Sequence, residues 1–243
     1  MEENKRFAVL IDADNISGKY IETILEEINK EGIATIRRMY GDWTKEDKKE
    51  WKAVALNYSI TPMQQFENST GKNSTDSAMI IDAMDILYGD KVDGFCICSS
   101  DSDFTRLAQR LREAGKRVIG MGEKAKEPVA MVNACQVYKY LDLIYKSKHE
   151  EEDSSNKPAP KKKAKLTNDE ILIANEISSI IDNSDYEGFA LSSLIGDILK
   201  RNHPEFDPRN YGCRKLKDLF AKLGFRTEYV DDNLKGAVRV YSK

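Results

Sequence analysis

Two short apolar segments of the sequence end abruptly in carboxylates. Residues 7–15 read FAVLIDADN, and residues 95–104 read FCICSSDSDF. Carboxylate oxygens are the ligands that Mg²⁺ and Mn²⁺ prefer in proteins. The two segments therefore predict a divalent-metal site, provided that the fold brings their ends together.

Phosphodiester hydrolysis is the reaction that such a site suits best. It requires a water activated near neutral pH and neutralisation of the charge around phosphorus, and metal ions held by carboxylates supply both. Without a cation, clustered carboxylates repel one another, which raises their pKa values. The predicted catalytic ligands, acting directly or through water, are Asp12, Asp76, Asp101 and Asp103.

Other acidic and polar residues are predicted to support these four. Asp14 and Asp82 are second choices as ligands, and Asp42 is a third. Hydrogen bonds from Asn15 and Ser99 are predicted to hold the two acidic turns in place.

Several of the acids also have simpler structural interpretations. Asp76 and Asp103 both lie near predicted helix starts, where a carboxylate commonly caps the backbone amides. Asp14 suits an ordinary turn, whereas Asp12 is harder to explain because it ends a buried strand. Carboxylates that only cap separate helices need not lie near one another. The metal hypothesis, in contrast, predicts that these carboxylates lie close together in the fold.

Strands that alternate with helices must position these acids. Apolar runs predict strands at 7–12, 33–40, 60–66, 94–99 and 117–121, with an edge strand at 137–140. A helix beginning at Asp76 is apolar nearly all round and is predicted to be buried, so its Asp82 needs partners. The pattern predicts an α/β fold, with a parallel sheet and helices on both faces. A strand order of 3-2-1-4-5 would make the two acidic turns neighbours at the carboxyl edge of the sheet.

The composition changes sharply after residue 146. Residues 147–166 carry runs of glutamate and lysine without an apolar period, which is typical of a flexible charged linker. Residues 167–243 predict helices starting near 167–168, 189 and 208 and then a hairpin, the outline of a winged helix-turn-helix. The predicted organisation is a catalytic domain at 1–146, a linker at 147–166 and a winged-helix domain at 167–243.

The overall composition and charge limit which kinds of binding and chemistry the chain can support. The net charge is −3 over 243 residues, so any nucleic-acid binding needs local basic patches or bridging metal ions. Four cysteines without a C-x-x-C motif argue against zinc and favour a reducing cytoplasm. The sequence predicts no signal peptide and no membrane span. Both histidines lie outside the acidic segments, which argues against a histidine general base.

Three motifs of the first domain resemble the NYN domain, a family of PIN-like nucleases. They are IDADNI at 11–16, GKNSTD at 71–76 with Asp82 after it, and SSDSDF at 99–104. The resemblance covers roughly residues 5–145 and implies a Mg²⁺- or Mn²⁺-dependent ribonuclease that leaves 5′-phosphate ends. It assigns the ligand acids to Asp12, Asp76, Asp101 and Asp103. The family often has glycine where Ser100 stands, a small difference.

The second domain is similar to the OST-HTH/LOTUS domain. The similarity rests on LSSLIGDILK at 191–200 and PEFDPRNYGCRKL at 204–216, and it covers about residues 167–243. It implies RNA binding or, in some members, a protein partner. The family tends to place an aromatic residue where Cys213 stands.

Basic residues crowd one segment of this domain around a tyrosine. Such a segment suits phosphate contacts with base stacking, although a solvated helix surface explains it equally well. Lys72 in the first domain is a further candidate phosphate contact, with an exposed loop lysine as the simpler interpretation. The predicted RNA contacts are Lys72, Arg209, Tyr211, Arg214, Lys215 and Lys217.

Alternative functions follow from the same residues. Asp12 and Asp14 also resemble the start of haloacid-dehalogenase-type phosphatases, in which the first aspartate is a nucleophile. Residues 37–42, which end the second predicted strand, lack the serine or threonine that ends the next core strand in those enzymes. A non-catalytic RNA-binding adaptor with structural acids is the stronger alternative, and DNA hydrolysis would use the same site.

Overall fold

The computed structural model describes residues 5–66, 74–126, 129–153, 166–186, 188–229 and 237–241. The chain divides into two compact units, Met1–Tyr145 and Lys146–Lys243. Among the described helices, none is both long enough and apolar enough to cross a membrane.

The first unit is a parallel sheet surrounded by helices. Its strands are β1 (Arg6–Asp12), β2 (Ile33–Gly41), β3 (Thr61–Gln64), β4 (Gly94–Cys98), β5 (Arg117–Gly122) and β6 (Val137–Tyr140). Its helices are α1 (Ile21–Asn29), α2 (Lys49–Asn57), α3 (Ser74–Tyr88), α4 (Thr105–Glu113) and α5 (Val129–Ala134), and a further helix, α6 (Leu141–Asp153), begins in this unit and continues past its last residue. The strand order β3-β2-β1-β4-β5-β6 confirms the predicted order and the predicted edge strand.

The two central strands explain why the sequence shows continuous apolar runs. β1 pairs in parallel with β4, and almost every residue of both strands is buried. Leu10 faces one hydrophobic cluster, while Val9 and Ile11 face the cluster on the other side of the sheet. Strands covered on both faces need no polar alternation. Both strands end at the same edge, which brings the two acidic turns together.

α3 is less buried than its apolar sequence predicts. Met79 and Ala83 are fully buried, but Ile81 and Tyr88 are 63% and 72% exposed. The prediction of a helix buried all round is therefore wrong, because α3 packs on the sheet through one side only. Residues 67–73, which include Lys72, lie outside the described residues.

α6 runs seven residues into the segment predicted as a linker. The helix begins on the buried residues Leu141 and Ile144 and continues to Asp153. Glutamate and lysine are strong helix formers, so a helix started on the core can continue without an apolar period. Residues 154–165 lie outside the described residues, and the boundaries at 146 and 166 remain predictions.

The second unit combines three helices with a small antiparallel sheet. The helices are α7 (Asn168–Asp182), α8 (Ser192–Asn202) and α9 (Leu216–Leu223), and the strands are β7 (Phe189–Leu191), β8 (Arg226–Tyr229) and β9 (Val238–Tyr241). The sheet order is β7-β9-β8. The predicted helices and hairpin strands are present, and residues 230–236, which join the hairpin strands in sequence, lie outside the described residues.

Two helix starts in this unit differ from the sequence prediction. The helix expected from Phe189 begins at Ser192, because residues 189–191 pair with β9 as strand β7. The helix expected from Pro208 is a short 3₁₀ turn, Pro208–Tyr211, followed by a break at Gly212. Gly212 has a φ of +66°, a left-handed conformation that glycine adopts without strain.

Candidate active site and RNA-binding surface

Three carboxylates converge at the carboxyl edge of the parallel sheet. Asp76 lies in the first turn of α3, and Asp101 and Asp103 lie in the turn that follows β4. One carboxylate oxygen from each residue lies within 4.8 Å of those of the other two. Asp76 and Asp101 are half-buried, and Asp103 is exposed. We call these three residues the acidic cluster.

One member of the acidic cluster also caps the local backbone. The Asp101 Oδ1 atom accepts a hydrogen bond from the Asp103 backbone N–H at 2.9 Å. The capping interpretation concerned Asp76 and Asp103, whereas this cap is made by Asp101. It engages one oxygen of Asp101, so it is compatible with the convergence predicted for a metal site.

Asp12 is fully buried at the end of β1 and joins the two acidic turns. Its Oδ2 atom accepts hydrogen bonds from Asn15 Nδ2 at 2.6 Å and from Ser99 Oγ at 2.7 Å. Ser99 Oγ in turn accepts from the Asp101 backbone N–H at 3.1 Å. Burial raises the pKa of Asp12, and the hydrogen bonds from Asn15 and Ser99 oppose that rise.

The surroundings of Asp76 make its ionised form unfavourable in the absence of a cation. Burial, followed by the negative charges of Asp12, Asp101 and Asp103, raises the pKa of Asp76 from 3.8 to about 6. A cation that bound here would relieve this repulsion. The donors of the acidic cluster are all hard carboxylate oxygens, so the residues fit Mg²⁺ or Mn²⁺.

The less favoured candidate ligands have partners elsewhere. Asp82 accepts hydrogen bonds from the Arg38 guanidinium and the Tyr40 hydroxyl, which ties α3 to β2. Asp42 is buried and accepts from Gln64 Nε2 at 2.9 Å, which holds the loop after β2. Neither belongs to the acidic cluster, and the partners that Asp82 was predicted to need are present.

Asp14 is paired with a lysine that sequence reasoning missed. The Lys48 side chain is only 9% exposed, and its Nζ atom lies 2.9 Å from Asp14 Oδ1. The same ammonium donates to the Ala13 carbonyl oxygen at 2.6 Å. Lys48 therefore fixes the turn after β1 and neutralises the acid nearest to Asp12 in sequence.

Replacing Lys48 with methionine is expected to lower the free energy of unfolding by about 1–3 kcal/mol, because Asp14 and the Ala13 carbonyl lose a charged donor. Urea unfolding measures the change. Lys49→Met is the matched control, since Lys49 pairs with Glu46 on the open surface and its loss is expected to cost less than about 1 kcal/mol. Equal losses in the two variants would contradict the role assigned to Lys48.

Two of the residues predicted to contact RNA in the second unit are already engaged in contacts within the protein. Arg209 forms an ion pair with Asp207 at 2.6 Å. Tyr211, predicted as a stacking aromatic, is half-buried and lies against Phe206, with ring centroids 6.0 Å apart. Burial raises the pKa of Tyr211 to about 12. This residue belongs to the edge of the core rather than to an open stacking surface.

The exposed aromatic residue of the basic surface is Tyr229 on β8. It is 67% exposed, and Lys217 Nζ lies 4.3 Å from its ring centroid and 2.7 Å from its hydroxyl oxygen. Arg214 and Lys215 are also exposed at the start of α9. We call Arg214, Lys215, Lys217 and Tyr229 the basic surface.

Family models match both units of the chain. Residues 6–143 match the NYN domain, and residues 172–234 match the OST-HTH/LOTUS domain. The first match covers more than half of the sequence. The chain belongs to the NYN family. Its NYN domain is PIN-like.

Two individual proteins that are similar to this NYN protein have names that state no function. An uncharacterized protein of Methanocaldococcus jannaschii is 26% identical over 132 residues, which are 53% of this chain and 52% of the relative. The chain thus spans about half the length of that curated relative. A crystal structure of a protein of unknown function from Vibrio parahaemolyticus aligns with a TM-score of 0.48 and 16% identity. That alignment covers 57% of this chain and 93% of the Vibrio protein.

Proposed function

We propose that this NYN protein is a divalent-metal-dependent ribonuclease that hydrolyses RNA phosphodiester bonds. The observation that carries the proposal is the convergence of Asp76, Asp101 and Asp103, with Asp12 buried behind Ser99. NYN and PIN-like nucleases generally use divalent metals. When bound, Mg²⁺ or Mn²⁺ supplies charge neutralisation at the phosphate and lowers the pKa of water.

The protein's own residues divide the work at this site. Asp76, Asp101 and Asp103 would hold the cation, while Asp12 orients the turns through Asn15 and Ser99. An RNA phosphate approaching these carboxylates is repelled until their charge is neutralised. Cation binding is therefore expected to strengthen the approach of RNA to the cleft.

The OST-HTH/LOTUS domain would supply binding energy that an acidic cleft lacks. RNA held by this domain stays tethered to the nuclease domain through the chain, which raises its effective concentration near the carboxylates. The basic surface provides lysine and arginine for phosphates and Tyr229 for stacking. Because some members of this family bind a protein, a protein partner is the alternative ligand of the same domain.

RNA degradation by the purified full chain tests the proposal. We expect Mn²⁺ or Mg²⁺ to support cleavage of a labelled single-stranded RNA, EDTA to stop it, and the products to carry 5′-phosphates. Two variants purified in parallel are expected to be inactive: Asp12→Asn because it disturbs both acidic turns, and Asp101→Asn because it removes a carboxylate that would hold the cation. If all three preparations degrade RNA equally, the activity is a contaminant and the chain is a non-catalytic RNA-binding protein.

A DNA strand of the same sequence separates ribonuclease from general nuclease activity. As a competitor, it is expected to inhibit RNA cleavage less strongly than unlabelled RNA does. Equal inhibition together with DNA cleavage would reassign the site to both nucleic acids. The family matches support a nuclease over the phosphatase alternative.

A further inference from the structure

The outer face of the small sheet β7-β9-β8 carries aromatic and arginine side chains. Ala190 and Val240 are fully buried, so they mark the core face of the sheet. Side chains alternate along a strand, which places their neighbours on the outer face. Phe189, Tyr241 and Arg226 lie directly opposite one another across the three strands.

These side chains form one continuous set of ring and cation contacts. The Tyr186 ring is stacked on Phe189 with centroids 4.9 Å apart and planes 17° apart, and it is 46% exposed. The centroids of Phe189 and Tyr241 lie 5.6 Å apart, with the two ring planes tilted by 45°. The Arg239 guanidinium lies 4.9 Å from the Phe189 centroid, and Arg226 lies 5.4 Å from the Tyr241 centroid. We call these five residues the sheet platform.

We propose that the sheet platform binds single-stranded RNA by stacking bases on its rings and guanidinium planes. This inference rests on the proposed function, because it takes RNA as the ligand. Aromatic residues on a β-sheet are a recurrent platform for unpaired bases, and arginine adds both stacking and phosphate contacts. Tyr186 is the outermost ring, so it offers the open stacking face.

The charge of the sheet platform favours a polyanion. Glu228 is the acid on the same side of β8, and it is paired with Arg226 and accepts from the Tyr241 hydroxyl at 2.9 Å. Within the described residues of β7, β8 and β9, this face carries two arginines and one acid, so these strand residues have a net positive charge. Aromatic pairs across strands also stabilise a sheet, but stability alone does not require arginines over the rings.

The sheet platform is separate from the basic surface. Thr227 pairs with Val240, whose side chain points to the core, and Tyr229 lies on that same side of β8. Arg226 and Glu228 point to the opposite side. A strand that contacts both sides of the hairpin would meet two groups of aromatic and basic side chains, which suits an unpaired RNA better than a duplex.

RNA binding by full-chain variants tests this inference. Fluorescence anisotropy with a single-stranded oligouridine, in EDTA to prevent cleavage, gives the affinity and its salt dependence. Combining Tyr186→Ala with Arg239→Gln is expected to weaken binding about tenfold or more and to reduce the salt slope by about 1. The control Arg201→Gln, at an exposed arginine of α8, is expected to bind about threefold less tightly at most.

A direct readout excludes a merely structural role. Bromouridine-substituted RNA is expected to crosslink to peptides that contain Tyr186 or Tyr241. The inference is overturned if the double variant melts like the wild type and binds RNA with wild-type affinity, or if crosslinks avoid these peptides. The platform would then be assigned to sheet stability or to an acidic protein partner.

Failure of this inference differs from failure of the proposed function. Cleavage by the wild type combined with unchanged RNA binding by the double variant removes only the sheet platform. Metal-free binding through the platform without any cleavage removes only the catalytic proposal.

Discussion

Replacing Asp76 with asparagine is expected to abolish metal-dependent RNA cleavage and, in the same protein, to stabilise the metal-free fold. Asparagine keeps the side-chain size but removes a ligand charge, so cleavage is expected to fall at least about a hundredfold. Burial, followed by the negative charges of Asp12, Asp101 and Asp103, disfavours an ionised Asp76. Removing that charge is expected to add on the order of 1 kcal/mol to stability at neutral pH, a value discounted for solvent screening.

Cleavage rates with Mn²⁺ and thermal unfolding in EDTA measure the two effects. Asp85→Asn is the matched control, because Asp85 lies on the same helix and is exposed. It is expected to leave both measurements nearly unchanged. A loss of cleavage accompanied by a loss of metal-free stability would indicate that Asp76 is a structural cap, and the metal site would lose its main support.

A substitution that lowers activity but raises stability is expected where the replaced residue belongs to a functional site. A cluster of like charges is costly to the fold and is tolerated where a ligand relieves the cost. Asp12 differs from the acidic cluster in this respect. Its hydrogen bonds from Asn15 and Ser99 are made to the charged form, so its removal is expected to loosen both turns.

The sequence predicts the parallel sheet well because the segments that form β1 and β4 are continuous apolar runs that end in acidic residues. A strand covered on both faces needs a continuous apolar run, and the acids that follow mark its carboxyl end. The convergence of Asp76 with Asp101 follows from the same signal, since α3 begins beside the carboxyl edge of the sheet.

The residues that sequence reasoning missed depend on contacts between distant segments. Nothing in the pattern around Lys48 distinguishes it from the exposed Lys49, because its burial arises from packing against the turn after β1. β7 has three residues, too few to show an alternation, so it was predicted as the start of α8. The predicted hairpin is a signal that favours exposure of Tyr229, whereas the signal for Tyr211 is limited to its basic neighbours in the sequence.

Mn²⁺ binding is expected to weaken as the pH falls below about 6. Asp76 must be ionised to hold the cation, and its pKa in the fold is raised from 3.8 to about 6 by burial and neighbouring charge. Protons then compete with the metal, so affinity is expected to fall roughly tenfold per pH unit below 6 and to level off above it. Burial raises the pKa of Asp12 as well, which acts in the same direction.

The contribution of Asp76 to the stability of the metal-free protein is expected to change with the opposite sign. Because the folded state binds the Asp76 proton more tightly than the unfolded chain does, this contribution is most favourable below about pH 4. It falls as the pH rises towards about 6 and stays lower above that. Calorimetric Mn²⁺ titrations and urea unfolding in EDTA, each across this range, measure the two trends, and Asp76→Asn is expected to flatten both. Mn²⁺ affinity that did not change between about pH 5 and about pH 7 would show that Asp76 is not a ligand, because a ligand with this pKa must exchange its proton for the metal.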